Sequence, residues 1–392
     1  WRTMDRESPL AATFESNRSI CRDPVTDLGH LRKGGHDPDF IKMTGSNRLE
    51  SGETVGIDSV VIGEKGDHRR RGEDSREKTF ALFGQTVYLS RVNSTKELRY
   101  FDRYEGRLKQ EGIYGEKPLR WAYETALGRA CLEGIIKRPW FSALYGSWAD
   151  SRSSVKEVSH FIERFGVDTS EFLNAPGTFR TFNEFFYRKL KPEARPISPE
   201  AKSVIFPADG RHFFIPVLSA DSHLYAKGQR FDLPKLFGDA DLAAQFFGGS
   251  AVLSRLCPTD YHRFHFPLAG ECGTPRCING SLYSVNPIAL SRQLGYIAEN
   301  KRRITPVSHT ALGTYLFLEI GATNVGSIVD TCAPGQTVRK GDEKGYFRFG
   351  GSMVITVFPE GTLAPAPDLR EQSAAGIELY ARMGDHMGTL LA

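Results

Sequence analysis

The stretch YFRFGGSMVITVF, residues 346–358, sets a serine behind two glycines inside an otherwise apolar run. Aromatic residues lead in and β-branched residues follow, so the run predicts one buried strand. Glycine packs nothing and weakens a strand interior, so Gly350 and Gly351 need another use. They remove bulk on the N-terminal side of Ser352 and open backbone angles that other residues avoid. With that freedom the Ser352 hydroxyl can attack the carbonyl carbon before it and move the acyl group from nitrogen to oxygen. The resulting ester can eliminate, which cuts the chain and leaves a dehydrated serine that hydrolyses to a pyruvoyl group. A free serine is a poor nucleophile, so a base must take its proton. The same three residues also suit a β-bulge whose serine only satisfies a backbone group. A hydrolase elbow does not fit, because G-x-S-x-G needs glycine where Val354 stands.

Two other stretches offer the partners such a serine needs. LCPTDYHRFHFPLAG, residues 256–270, carries His262 and His265 between prolines. Histidine is the usual general base because its ordinary pKa lies near neutrality. Pro258 and Pro267 argue against a helix, and an odd offset along a strand sends two rings to opposite faces. Either one of them reaches a given site or the strand bends. FPADGRHFF, residues 206–214, supplies Asp209 just before Gly210. An aspartate there either caps its own turn or orients a histidine, as the third member of a serine–histidine–aspartate relay does.

The elements that must position these groups fall into three parts. Residues 1–95 are expected to be largely disordered or an extension; they include the mixed-sign run HRRRGEDSREK, residues 68–78, and show no sustained periodicity. Residues 96–200 read as helical. One helix is expected over Leu119–Tyr145, with Trp121, Leu127, Ile135, Trp140 and Leu144 among Arg120, Arg129, Lys137 and Arg138, and with Pro139 ending or kinking it. That mixture suits a helix lying in a membrane interface and equally a helix packed on its own domain. A second helix is expected from Ser154, where Ser154 and Glu157 fit a capping box, to Gly166. Beyond residue 200, short β-prone runs separated by Gly, Pro, Asp and Asn predict a mostly antiparallel core over 201–392. The fold class is therefore α+β, with amphipathic helices first and the β core after.

Composition narrows the function. A net charge of +4 over 392 residues carries no nucleic-acid signature. No apolar run approaches the ~20 residues that a spanning helix needs. The six cysteines (Cys21, Cys131, Cys257, Cys272, Cys277 and Cys332) form no C-x-x-C pair, so neither a zinc site nor a disulfide framework is expected.

Five segments occur in one order: FNEFFYRKLKPEARPI (182–197), PADG (207–210), DYHRFHFP (260–267), KGDEKGYF (340–347) and Gly350-Gly351-Ser352. In that order the chain resembles the phosphatidylserine decarboxylases from about residue 115 to near 388. The resemblance implies a proenzyme that cuts itself between Gly351 and Ser352. Residues up to 351 would form the β chain and 352–392 a small α chain headed by a covalent pyruvoyl group made from Ser352. It places Asp209, His265 and Ser352 in the self-cleavage relay and His262 in proton delivery during decarboxylation. No metal is implied. The implied substrate is phosphatidylserine in a membrane, and the implied place is a peripheral one on the cytoplasmic face of a bacterial membrane, as an α/β heterodimer or a higher assembly of it. One position departs from the family: Met353 stands where Thr or Ser is usual. Two rivals stand beside this reading: a pyruvoyl decarboxylase of a soluble amino acid, which shares the chemistry but should lack the aromatic, basic helical region and the Y-H-R-x-H-x-P block, and a lipid-surface binding protein that keeps the fold and does not process itself.

Overall fold

A computed structural model describes residues 98–219, 232–323, 328–350 and 352–391, with the backbone of two short paired strands, Val87–Tyr88 and Leu224–Tyr225. All of the described residues belong to one compact unit. The expectation for residues 1–95 lies outside the described residues apart from that one strand.

The serine strand, Ser352–Phe358, explains the arrangement best. Its seven residues are all buried, because the sheet it joins is covered on both faces. Met353, Ile355 and Val357 enter one apolar cluster, while Val354 and Phe358 enter another, as the alternation of a strand requires. It pairs antiparallel with Gly313–Gly321 on one side and Ser250–Leu256 on the other. Among the described residues the sheet has 11 strands, and these three are central in it. Beyond Ser250–Leu256 follow Gly210–Ile215, Glu378–Ala381, Arg99–Asp102 and Arg107–Gln110. Every pairing is antiparallel except Glu378–Ala381 with Arg99–Asp102. The expected α+β fold with an antiparallel core is the fold observed.

A smaller sheet, Ile328–Asp330, Glu343–Phe347 and Arg263–His265, stands beside the first. This corrects the reading of residues 346–358 as one strand. Tyr346 and Phe347 end a strand of the small sheet, and Ser352 begins a strand of the large one. The chain changes sheets through Arg348, Phe349 and the glycines. Gly350 has φ 142°, a conformation that side-chain-bearing residues rarely adopt. Gly351 itself lies outside the described residues.

The helices also differ from the expectation in detail. In place of one helix over Leu119–Tyr145 the chain forms Glu116–Glu124, Ala126–Cys131, a π-turn at Leu132–Ile136 and Pro139–Ala149. Thr125 makes the first break: it is extended, and its Oγ1 accepts the Gly128 N–H to start the next helix. Pro139 opens the last helix rather than closing one. Its missing N–H costs nothing in a first turn, and Arg138 before it is extended, as a residue preceding proline prefers. Ser154 forms no capping box; it sits in a short 3-10 turn, where its Oγ donates to the Ser151 carbonyl and accepts the Phe182 N–H. The helix proper is Lys156–Phe165, closed as expected by Gly166 in the left-handed region. Among the described residues, Cys131, Cys257, Cys272 and Cys332 are free.

Candidate active site

Ser352 is fully buried at the head of its strand, held in register by Gly321 on one flank and Leu256 on the other. The Arg263–His265 strand pairs with Glu343–Phe347, the strand that leads into the glycines. A further bond from the Phe347 N–H to the His262 carbonyl extends that pairing. These contacts set the histidine segment against Ser352.

Of the two histidines, His262 reaches the serine: its Nδ1 lies 3.2 Å from Ser352 Oγ. Its Nε2 lies 2.9 Å from the Cys257 carbonyl, which can only accept, so Nε2 carries the proton. Nδ1 is then left as the acceptor for the serine hydroxyl. The ring stacks on Phe186 with centroids 3.8 Å apart. Burial, helped by the neighbouring Arg188 charge, pushes the His262 pKa down to about 3. The imidazole is therefore neutral and basic-side-out at ordinary pH.

His265 faces elsewhere, as the odd offset requires. Its Nδ1–H donates to the Gly341 carbonyl at 2.9 Å, and Tyr261 Oη donates to its Nε2 at 3.3 Å. Burial lowers its pKa, opposed by the fields of Glu343 and Asp209. Asp209 is buried, gripped by Arg195 through Nε at 2.8 Å and Nη2 at 2.6 Å, and it also accepts the Met383 N–H. Among the described residues, then, the serine contact comes from His262, while Asp209 and His265 stand nearby without hydrogen-bonding Ser352 or each other.

Met353 points away from all of this. It is buried in the apolar cluster with Ile355 and Val357, on the opposite face from Ser352. A hydroxyl at that position would face the apolar cluster rather than the serine.

Sequence reasoning assigned no role to several residues that the structure places at the site. Asp260 accepts the Cys257 N–H at 2.7 Å and is paired with Arg211, which fixes the loop whose carbonyl orients His262. Arg188 is buried against Phe172 and Phe185, and donates weakly to the carbonyls of Thr259 and Asp260. Phe186 forms the floor under His262. Arg188 and Phe186 belong to FNEFFYRKLKPEARPI, and an arginine inside an aromatic run was the signal available.

Beneath the serine strand lies a buried ion pair. Glu319 is opposite Val354 across the sheet, and its carboxylate meets the Lys344 ammonium, both fully buried. Asp330 lies 3.2 Å from the same ammonium.

Comparison with known proteins fits this geometry. The family model for phosphatidylserine decarboxylase matches residues 182–389, a span that holds Asp209, both histidines and the Gly-Gly-Ser turn. The phosphatidylserine decarboxylase proenzyme of Clostridium novyi is 41% identical over 294 residues, which is 75% of this chain and 100% of that protein. The corresponding proenzyme of Chlamydia muridarum is 41% identical over 75% of this chain and 98% of its own length. That of Desulfitobacterium hafniense is 40% identical over 74% of this chain and 98% of its own. With a buried serine at the head of a central strand, a histidine on its hydroxyl and this degree of identity, the chain belongs to the phosphatidylserine decarboxylase family.

Proposed function

We propose that this chain is a proenzyme that cuts itself between Gly351 and Ser352 and then converts phosphatidylserine to phosphatidylethanolamine and carbon dioxide. The observation that carries the proposal is the buried Ser352 hydroxyl, 3.2 Å from the free lone pair of His262 and preceded by Gly350 at φ 142°. His262 Nδ1 takes the hydroxyl proton as Oγ attacks the Gly351 carbonyl carbon, and the Ser352 nitrogen leaves as an amine. A base then takes the Ser352 Cα proton as the Gly351 carboxylate leaves Cβ, and water hydrolyses the imine tautomer of the resulting dehydroalanine, releasing ammonia and making the pyruvoyl group at the head of the 352–392 chain. Ser352 suits that conversion, since the ladders on both flanks hold the new group in place. When formed, the group supplies a ketone for the substrate amine and a sink for the electron pair released with carbon dioxide. His262, beside it, is positioned to return a proton. His265 anchors the strand that follows His262 through the Gly341 carbonyl, and Asp209 is held by Arg195 and the Met383 N–H.

The substrate lies in a membrane, and the first helices present a surface for one. Trp140, Leu144 and Trp148 fall at i, i+4 and i+8 on the Pro139–Ala149 helix and are all exposed, Leu144 at 67%. Trp121, Leu127 and Ile135 on the preceding turns are exposed as well, and exposed large apolar side chains in such number suit an interaction surface. On the strength of those exposed side chains we propose that residues 96–200 lie on its surface, at the cytoplasmic face; no helix among the described residues is long and apolar enough to cross a membrane. Replacing Leu144 with glutamate should weaken co-sedimentation with phosphatidylserine vesicles roughly tenfold and leave self-cleavage in solution intact. Unchanged vesicle binding would remove this surface from the proposal.

The deciding experiment is the intact mass of the purified protein under denaturing, reducing conditions. Two chains divided after Gly351 are expected, the small one lighter than encoded by the change from serine to pyruvoyl. A single whole chain that never divides would overturn self-processing and favour a lipid-binding protein of the same fold.

A further inference from the structure

Self-attack needs both sides of the reacting bond held still. The serine strand fixes the C-terminal side, and a separate set of contacts fixes the chain just before the glycines. The Phe349 N–H donates to Asn183 Oδ1 at 2.7 Å. Asn183 Nδ2 donates to Asp150 Oδ1 at 2.8 Å. Asp150 in turn accepts Arg348 Nη2 on both carboxylate oxygens, each at 2.7 Å. The Phe349 ring closes the arrangement, stacked on Tyr145 at 5.5 Å and set edge-on to Phe182 and Phe186 at 4.9 and 4.8 Å. Asn183 is buried with its donor and its acceptor both used. Two consecutive residues ahead of the glycines are thereby fastened to two different helices, one of them the helix with the exposed tryptophans.

We propose that Asn183 is a positioning residue for self-cleavage, locking residues 348–349 through Phe349 and Asp150 so that the bond after Gly351 is presented to Ser352. The inference rests on self-cleavage at that bond. Gly350 and its neighbour bring the freedom that lets the backbone bend, and the same freedom would let the carbonyl drift. A helix-anchored asparagine removes that drift without touching the reacting atoms. The contact also explains why a fully buried amide sits in the FNEFF run.

The test is a time course of chain division in freshly synthesised full-length protein. Wild type should divide, and Asn183→Ala should divide about ten- to a hundredfold more slowly, the range expected when a reacting group is misplaced by about 1 Å. The double exchange N183D/D150N keeps an acceptor for the Phe349 N–H and a donor–acceptor pair between the two side chains, and should recover most of the rate. Division of Asn183→Ala at the wild-type rate overturns the proposal. So does a slow Asn183→Ala that the exchange fails to recover and whose thermal midpoint, in an uncleavable Ser352→Ala background, falls in step with its rate. Should Asn183→Ala not fold, Asp150→Ala, made at a partly exposed position, takes its place, with slower division expected and an unchanged rate overturning. Wild type that never divides would instead count against self-processing itself.

Discussion

A His262→Ala chain is expected to remain almost entirely whole, as Ser352→Ala does, while His265→Ala still divides at a reduced rate. The order follows from which ring holds the serine. His262 Nδ1 is 3.2 Å from Oγ, and the Cys257 carbonyl keeps the proton on the far nitrogen. Removing a positioned general base costs about 10²–10⁴-fold. His265 acts on the same loop only through Gly341 and Tyr261, so its loss should be the milder one. Because burial holds His262 near pKa 3, its base form is present throughout the neutral range. The division rate should then stay level from about pH 8 down to about pH 5, where an ordinary histidine would already be charged. A rate that falls with a midpoint near 6.5, or a His265→Ala chain that stays whole while His262→Ala divides, would transfer the proton to the Asp209–His265 relay implied by resemblance.

The second large effect is on stability. Replacing Lys344 by methionine, in the Ser352→Ala background so that one chain is measured, should destabilise the fold by about 3–5 kcal/mol. It strands Glu319, which is fully buried with the Lys344 ammonium as its counter-charge. Removing both charges with Glu319→Leu and Lys344→Met should recover most of that loss. The effect carries a pH signature. Burial raises the Glu319 carboxyl to about 7 from its ordinary 4.5, with Lys344 opposing. A raised acid pKa means the folded state holds the proton more tightly, so the penalty for the charged form is absent below about 4.5, grows as pH rises and is complete above about 7. Without Lys344 the opposing pull is gone. The penalty of Lys344→Met should accordingly be smallest near pH 5 and largest near pH 8, as read from thermal midpoints; a pH-independent loss would mean that packing against Phe264 and Phe317 dominates.

How much of this could be read from the sequence depends on whether the signal was local. The runs at 250–256, 313–321 and 352–358 are apolar and β-branched over most of a strand's length, and all three became central strands. Gly166 ended its helix because a left-handed closing residue is a one-residue requirement. The misreadings came where neighbours decide. Pro139 allows a helix to begin as readily as it forbids one to continue, and the extended Arg138 selects the first. Ser154 had the spacing of a capping box, but the Phe182 N–H, 28 residues away, claimed its hydroxyl. Residues 346–358 read as strand on both sides of the glycines, yet no local pattern says that Phe347 and Ser352 join different sheets. The same limit applies to the site. Asp209, His262, His265 and Ser352 could be singled out by type and setting, but which histidine meets the serine depends on the pairing of 263–265 with 343–347. Asn183, Asp260 and Arg188 act through contacts that no spacing rule encodes.

The place of the serine strand has a consequence for how long the protein lasts. If the chain divides after Gly351 as proposed, residues 352–392 become a separate molecule, yet they supply Ser352–Phe358 and Glu378–Ala381 to the large sheet, and Leu363–Pro365 and His386–Leu390 to another. The short chain is woven through the long one and leaves only by global unfolding. Refolding would then require two partners to meet, where the precursor folded as one. Division at that bond would thus convert a thermodynamic stability into a kinetic one: the divided protein would persist for as long as its unfolding barrier allows, and each molecule would fold once.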